Sequence, residues 1–351
     1  MTFQDCVGVS GGKDSDCVAG LADERQQRTG RAALFHFSDT CHEHDWTYEH
    51  IERLERVLGI SIRRIKRDFG PEIARRRDRL PTQWREAGVP ENLIDDALAL
   101  LQPTGIAYLD MVLAKGMFAA GVRRKFCTEE LKIQPADKQI IAPLIEADIT
   151  PVSWLGIRAD ESKKRANDAL HPRFKKLGTF SPPHIKWSQL LYRPILAWSV
   201  DDVIAYHKHR GIPLNPLYAE GFTRVGCFPC INERKASIAI IARRFPEAIE
   251  KLRVWEDLCT RVNVSRRFKG RLDEVSTFFP SGTVPGIDRN AIDDVVAWSR
   301  TDGGTKRQTR LFAGFTPSEM GLSQALADAA EEDRTEDQGF YACTAGMGYC
   351  E

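Results

Sequence analysis

Six residues govern what this chain can fold into. The run Ser10-Gly11-Gly12-Lys13-Asp14-Ser15 follows a short apolar stretch, DCVGVS, and precedes KDSDCVAGLADERQQ, where apolar residues recur at helical spacing. A strand that ends in two glycines and turns straight into a helix is built to bring backbone close to an anion. Glycine leaves no side chain in the way, and the first N–H groups of the helix are unpaired and sit at the positive end of its dipole. Ser10 and Ser15 add hydroxyl donors and Lys13 adds a charge. Asp14 is the unexpected member, since a carboxylate beside a phosphate points to helix capping or to Mg²⁺. A plain tight turn before a capped helix is the competing reading. Two commoner phosphate loops do not fit. A Walker A loop needs its first glycine one position before Gly8 and a Ser or Thr after Lys13, where Asp14 stands. The dinucleotide fingerprint G-x-G-x-x-G is also absent.

The rest of the chain supplies the frame for such a loop. AALFHFSD (32–39) reads as a second strand, HDWTYEHIERLERVLG as a helix with Ile51, Leu54 and Leu58 on one face, and ISIRRIK as a third strand. Strand–helix–strand–helix–strand is the grammar of an α/β fold: a parallel twisted sheet with helices on both faces. Residues from about 70 to 126 read as mainly helical with a break at 103–105, and TPVSWLGIRA restores a strand. LYRPILAWSVDDVIAYHKHRG reads as a loop followed by a helix capped by Ser199 and stopped by Gly211. One long helix is expected over about 236–260, and a weak one near 322–333 in a Gly-, Thr- and Asp-rich tail. We therefore expect a nucleotide-binding domain over 1–235 and a mainly helical C-terminal region with a cysteine-containing tail over 236–351.

SGGKDS resembles the PP-loop of the adenine-nucleotide α-hydrolase-like superfamily, the ATP pyrophosphatases, in which SGGxDS binds the pyrophosphate end of ATP. Three further segments are similar to the phosphoadenylyl-sulfate (PAPS) reductase-like branch. FSDTCHEHDWTYEHI follows its D-T-G-x-E-x-x-x-T pattern through Asp39, Thr40, Thr47 and Tyr48, with Cys41 in place of the glycine. KFCTEELKIQP matches C-T-x-x-L-K-x-x-P through Cys127, Thr128, Leu131, Lys132 and Pro135. GIRADESKKRA matches G-x-R-x-x-E-S-x-x-R through Gly156, Arg158, Glu161, Ser162 and Arg165. NPLYAEGFTRVGCFPC is similar to the segment that closes the family's domain. The resemblance spans residues 10 to 230 in the right order. It implies a nucleotide site made of Ser10, Gly11, Gly12, Lys13, Asp14, Ser15, Asp39, Gly156 and Arg158. Lys13, Asp14, Lys132 and Arg165 are the implied catalytic residues, the cations stabilising phosphate charge in the transition state. It also implies ATP and Mg²⁺ as cofactors and ATP cleavage to AMP and pyrophosphate coupled to sulfur transfer. Dedicated PAPS reductases usually carry a degenerate first loop. The complete SGGKDS here favours an enzyme that still uses ATP, as in the related proteins of DNA phosphorothioation and tRNA thiolation.

Nine cysteines, with no signal-peptide pattern at MTFQDC and no apolar run of membrane length, point to a cytoplasmic protein with reduced thiols. Cys227-x-x-Cys230 has the spacing of a metal or cluster half-site. By resemblance Cys127 supplies a third ligand to a [4Fe–4S] cluster, and Cys350 is our expected fourth, ahead of Cys343. Zinc on the same thiolates is the alternative, because sequence does not separate the two at four cysteines. Cys350 has a second reading as the tail nucleophile of a sulfonucleotide reductase, although GYCE lacks that family's E-C-G-x-H context. Cys6, Cys17, Cys41 and Cys259 read as small buried apolar residues. The formal net charge of +1 gives no overall attraction to nucleic acid, so a nucleic-acid acceptor rests on the basic clusters RRIKRDFGPEIARRRDRL, GVRRKF and SRRFKGR. The implied partners are an adenine nucleotide and either a sulfur donor such as a cysteine desulfurase or thioredoxin as reductant. Three functions stay open: the ATP-using sulfurtransferase, a true sulfonucleotide reductase, and a non-catalytic nucleotide- or cluster-binding subunit of a modification complex.

Overall fold

The structure, a computed structural model, describes residues 2–119, 126–161, 178–180, 189–263, 276–280, 283–286 and 290–301. A six-stranded sheet has the order β3-β2-β1-β4-β6-β5. Its strands are β1 Thr2–Val9, β2 Leu34–Ser38, β3 Ile62–Ile65, β4 Ile149–Trp154, β5 Gly178–Phe180 and β6 Gln189–Tyr192. The first five in that order run parallel, and the edge strand β5 is antiparallel to β6. Central β1 pairs on one side with β2, Val7 opposite Phe35, and on the other with β4, Val7 opposite Trp154.

Helices cover both faces, and strand alternation decides which residue goes where. Val7 and Val9 join Phe35 and Phe37 in one cluster with Val18 and Ile51. These last two come from α1 (Lys13–Thr29) and α2 (Asp45–Leu58). Cys6 points to the opposite face and packs with Ile65, Ile140, Ile141 and Ile145. Ile51, Leu54 and Leu58 are all buried, as the helical spacing predicts. Three helices follow β3: α3 Gly70–Glu86, α4 Glu91–Leu100 and α5 Ala107–Lys115. The next helical run, α6, strings together Phe126–Thr128, Gln134–Ala136 and Ala142–Glu146 through two π-helical turns, Glu129–Ile133 and Asp137–Ile141. Helix α7 (Val200–Arg210) starts with a capping box on Ser199 and ends at Gly211 with φ 63°.

Two expectations are corrected. The single helix over about 236–260 is two, α8 Lys235–Arg244 and α9 Pro246–Arg261. Pro246 has no N–H to continue the first, and it forces Phe245 out of helical geometry, with φ −134° and ψ 56°. The segment read as a loop before α7 starts inside a strand: Leu191 and Tyr192 are the last two residues of β6, which is too short to show a period. Helices α8, α9 and α10 (Ile292–Ser299) share one apolar cluster with α3 to α6, through residues such as Trp84, Met111, Leu131, Leu252, Trp255 and Val295. The helix expected near 322–333 lies outside the described residues. Among those described, no helix is long and apolar enough to cross a membrane.

Candidate functional site

Strand order reverses between β1 and β4, so their carboxyl ends leave a crevice where ligands of open α/β sheets bind. The loop 10–15 leaves β1 there and Gly156 and Arg158 leave β4. Gly11 has φ 70°, and a Cβ at this position would stand 2.9 Å from Thr47 Cγ2, so both backbone and space demand glycine. Gly12 is less constrained: it is extended, φ −99°, and its Cβ would lie 3.5 Å from Ser10 Oγ and Tyr218 Oη. Gly156 is a close-approach glycine, since its Cβ would meet the Asp14 backbone at 3.1 Å.

The loop is held from several sides. Ser15 Oγ donates to the Gly12 carbonyl at 2.8 Å, and the Ser10 amide donates to Ser15 Oγ at 3.1 Å. The Lys13 amide donates to Tyr218 Oη at 3.1 Å, and Asn215 Nδ2 donates to the Gly11 carbonyl at 3.2 Å. His207, fully buried on α7, places Nε2 2.8 Å from the Lys13 carbonyl. Asp14 is clamped between two cations, Lys13 Nζ at 2.7 Å and Arg158 Nε at 2.6 Å. Burial works against its ionised form, but the Lys13 ammonium and Arg158 guanidinium prevail and hold its carboxyl below the usual range. Arg158 is itself buried and also reaches Asp160 at 3.0 Å.

A second cluster sits at the end of β2. Asp39 Oδ1 accepts from the Cys41 amide and from Tyr48 Oη, both at 2.8 Å. Cys41 has φ 54°, the left-handed conformation that suits the glycine it replaces. Glu43 accepts from Thr40 Oγ1 at 2.7 Å and from Tyr48 Oη at 3.2 Å, and burial raises its pKa despite the Lys132 ammonium. Cys227 Sγ lies 3.6 Å from Thr40 Oγ1 and 3.9 Å from Glu43 Oε1, and burial pushes its thiol up to about 11. Lys132 thus acts electrostatically on the Glu43–Cys227 pair, and its carbonyl accepts from Ser38 Oγ at 3.2 Å.

The fold brings Ser10 to Ser15, Gly156 and Arg158 together, with Asp39 at the end of the adjoining strand. Arg165, Ser162, Cys343 and Cys350 lie outside the described residues. Cys127 and Cys230 are half-buried and pack against one apolar cluster beside the Cys227–Cys230 turn. Among the described residues no three His, Cys, Asp or Glu side chains stand arranged to hold a metal ion. Two buried polar atoms in this region, Tyr108 Oη and His42 Nδ1, have no hydrogen-bond partner. Several arginines of the first basic cluster serve the fold instead. Arg67 pairs with Glu130 and Glu72, Arg77 donates to the Leu98 and Leu101 carbonyls at 2.8 Å, and Arg76 donates to the Leu113 and Val262 carbonyls. Residues 121–125 and 265–271 lie outside the described residues.

Sequence reasoning passed over Glu43, His207, Asn215 and Tyr218 as site residues. Glu43 occupies the acidic position of D-T-G-x-E-x-x-x-T, and Asn215 and Tyr218 are the first and last residues of NPLY, so a signal existed for three. His207 has none, since a histidine inside a helical pattern looks like any other.

The phosphoadenosine phosphosulfate reductase domain family matches residues 5–233. An uncharacterized 37.8 kDa protein of Escherichia phage 186 is 39% identical over 98% of this chain and 96% of its own length. An uncharacterized protein of Methanocaldococcus jannaschii is 28% identical over 72% of this chain and 40% of its own. An adenosine 5′-phosphosulfate reductase of Neisseria meningitidis is 32% identical over 44% of this chain and 55% of its own.

Proposed function

Because the chain belongs to the phosphoadenosine phosphosulfate reductase family, we propose that it binds ATP at the carboxyl ends of β1, β2 and β4 and cleaves it between the α- and β-phosphates to drive sulfur transfer. The observation that carries this reading is the complete SGGKDS loop, with Gly11 left-handed and Lys13 opening α1. The pyrophosphate end lies against the loop, where backbone N–H groups and the dipole of α1 meet negative charge. Lys13 and Arg158 exchange Asp14 for phosphate oxygens, and the released Asp14 carboxylate takes Mg²⁺. Asp39 and Tyr48 hold the nucleoside side. An acceptor oxygen attacks the α-phosphorus, the bond to the bridging oxygen breaks, and pyrophosphate leaves. A sulfur nucleophile at the oxidation level of sulfide then displaces AMP from the activated carbon. Lys132 and Arg165 stabilise the charge that builds on the phosphate oxygens. Cys127, Cys227 and Cys230, with Cys350 of the tail, would hold an iron–sulfur cluster, or zinc as the alternative; an iron–sulfur cluster would supply one-electron redox capacity. A nucleic-acid acceptor is one partner this chemistry asks for; a persulfide-carrying donor protein such as a cysteine desulfurase serves as the other together with a thiol that reduces its outer sulfur to sulfide and is itself oxidised to a disulfide.

Incubation with ATP, Mg²⁺, a sulfide source and a nucleic-acid acceptor tests the reading. AMP and pyrophosphate are the expected products, and ADP with phosphate overturns it. The likeness to an adenosine 5′-phosphosulfate reductase favours a second reading, in which a thiolate attacks the sulfate sulfur and AMP leaves. Release of sulfite from adenosine 5′-phosphosulfate with a dithiol reductant, and no pyrophosphate from ATP, selects it. Nucleotide binding with neither reaction selects a non-catalytic subunit.

A further inference from the structure

A groove lies on one face of the sheet, over β1, β4 and β6. Phe3 and Asp5, Val152 and Trp154, and Leu190 and Tyr192 alternate onto the face where Val7 and Val9 meet α1. The second half of α1 and the segment before α7 complete the lining, around a cavity of about 750 Å³. Phe3 stands on a central strand, where a large apolar ring is ordinarily buried, yet it is 44% exposed, and Tyr192 is 38% exposed. Tyr192 is braced: Trp154 meets it edge to face at 4.6 Å, and Trp154 Nε1 in turn donates to Asp5 Oδ1 at 3.0 Å.

Both carboxylates of the groove are already engaged. Asp5 also accepts from Arg25 Nε at 2.7 Å. Glu24 accepts from Tyr206 Oη at 2.9 Å and pairs with Arg210 Nε at 3.3 Å. Arg28 and Arg31 are exposed, and neither guanidinium pairs with a carboxylate among the described residues. The lining therefore combines exposed rings with two uncompensated positive charges. In the strand register Val7 stands opposite Trp154, and Trp154 opposite Tyr192. Phe3 thus lies roughly 13 Å down the sheet from Tyr192 and about 10 Å across it, too far for one planar group to cover both rings. Separate rings flanked by cations suit successive bases of an unpaired strand, since every base has a face to stack and guanidinium groups take phosphates. A duplex keeps those faces stacked inside. Trp154 ends β4, and Arg158 of the nucleotide site follows four residues later, so one end of the groove borders the crevice.

We infer that this groove binds single-stranded nucleic acid, with bases on Phe3 and Tyr192 and phosphates on Arg28 and Arg31, and that it holds the acceptor strand beside the nucleotide site. This rests on the nucleic-acid acceptor of the proposed function and gives that acceptor a place on the surface.

Anisotropy of a labelled oligothymidylate, titrated with the full chain over a range of salt concentrations, tests the assignment. Phe3→Ala and Tyr192→Ala are each expected to weaken binding about tenfold. The double variant Arg28→Gln/Arg31→Gln is expected to flatten the slope of log K against log salt by about 1.4, because each phosphate contact on a single strand contributes about 0.7. ATP affinity by calorimetry is expected to hold in all of them, since none of these residues belongs to the loop at 10–15. Undiminished affinity and an unchanged slope in the variants overturn the groove and leave the nucleic-acid acceptor standing. Absence of binding by wild type overturns both, while AMP and pyrophosphate formation still tests ATP cleavage separately. Equal affinity for the duplex overturns the stacking role. Displacement of the strand by polyglutamate at equal charge points to an acidic protein segment instead, and a dimer that Tyr192→Ala dissociates points to a second copy; either result overturns the inference. Should an aromatic variant not fold, the exposed arginines decide through the salt slope.

Discussion

The phosphate loop and the cysteine region are built in opposite ways. The loop takes its main elements from six consecutive residues, and they are already engaged: Ser15 with Gly12 and Ser10, Lys13 with Asp14 and Tyr218, and Asp14 with Lys13 and Arg158. The cysteine region draws on residues far apart in the chain, 127, 227 and 230, and it leaves Tyr108 Oη and His42 Nδ1 buried and unpaired. A backbone anion site is encoded locally, because a glycine turn and a helix start suffice. A site drawn from distant residues is encoded by the tertiary fold instead. The two should therefore fail separately.

The largest effect is expected from Cys227→Ser. It should bleach the protein and lower its stability by several kcal/mol, because a metal bound only by the native state adds its binding energy to folding. Nucleotide affinity by calorimetry should stay within about threefold. A parallel collapse of nucleotide binding would show that the two regions are one site. Gly11→Val is the converse. A side chain there is strained at φ 70° and meets Thr47, so nucleotide affinity should fall by about a hundredfold or more while iron content holds. Gly12→Ala should be far milder, since its Cβ contacts begin at 3.5 Å.

Acid and base separate the regions further. Burial raises Glu256, on α9, to about 7, even though its carboxylate accepts the Phe278 and Ile292 amides. The folded state then keeps a proton that the unfolded state has lost, so stability should decline as pH rises from about 4.5 to about 7. Asp14 has the opposite sign: its lowered pKa adds stability above the unfolded value, lost as pH falls through the folded one. Urea unfolding at pH 5 and 8 should show a drop of roughly 2 kcal/mol in wild type that Glu256→Gln removes. An unchanged slope would clear Glu256 of any part in it. The smallest effect is expected from Arg158→Lys, which keeps the charge and loses the fork that reaches both Asp14 and Asp160. Nucleotide affinity should fall about tenfold, and equal affinity would exclude the guanidinium from phosphate binding.

The same contrast explains what could be read from the sequence. The loop, the faces of α2 and the caps at Ser199 and Gly211 were legible because each signal is contained within a few neighbouring residues. Cys227 and Cys230 were legible as a pair by spacing. Cys259 reads as a small buried apolar residue, and it is fully buried in the core. Tyr108 likewise looks like a core aromatic until its hydroxyl is traced. The break between α8 and α9 was available in Pro246 and was passed over. Strand β6, four residues long, offers too few positions for a period.

The place of β1 has a consequence for how the chain is made. Thr2 lies opposite Ile149, so the first strand of the sequence waits for the fourth, and more than a third of the chain lies between them. At ribosomal speeds of roughly 5–20 residues per second, β1 and β2 can pair on the order of ten seconds before β4 emerges. Throughout that interval the inner edge of β1 stays open, with its backbone groups available to any other extended segment. Nascent chains should then be most prone to aggregation after about residue 65 and before about residue 155, and safest once β4 has closed the gap.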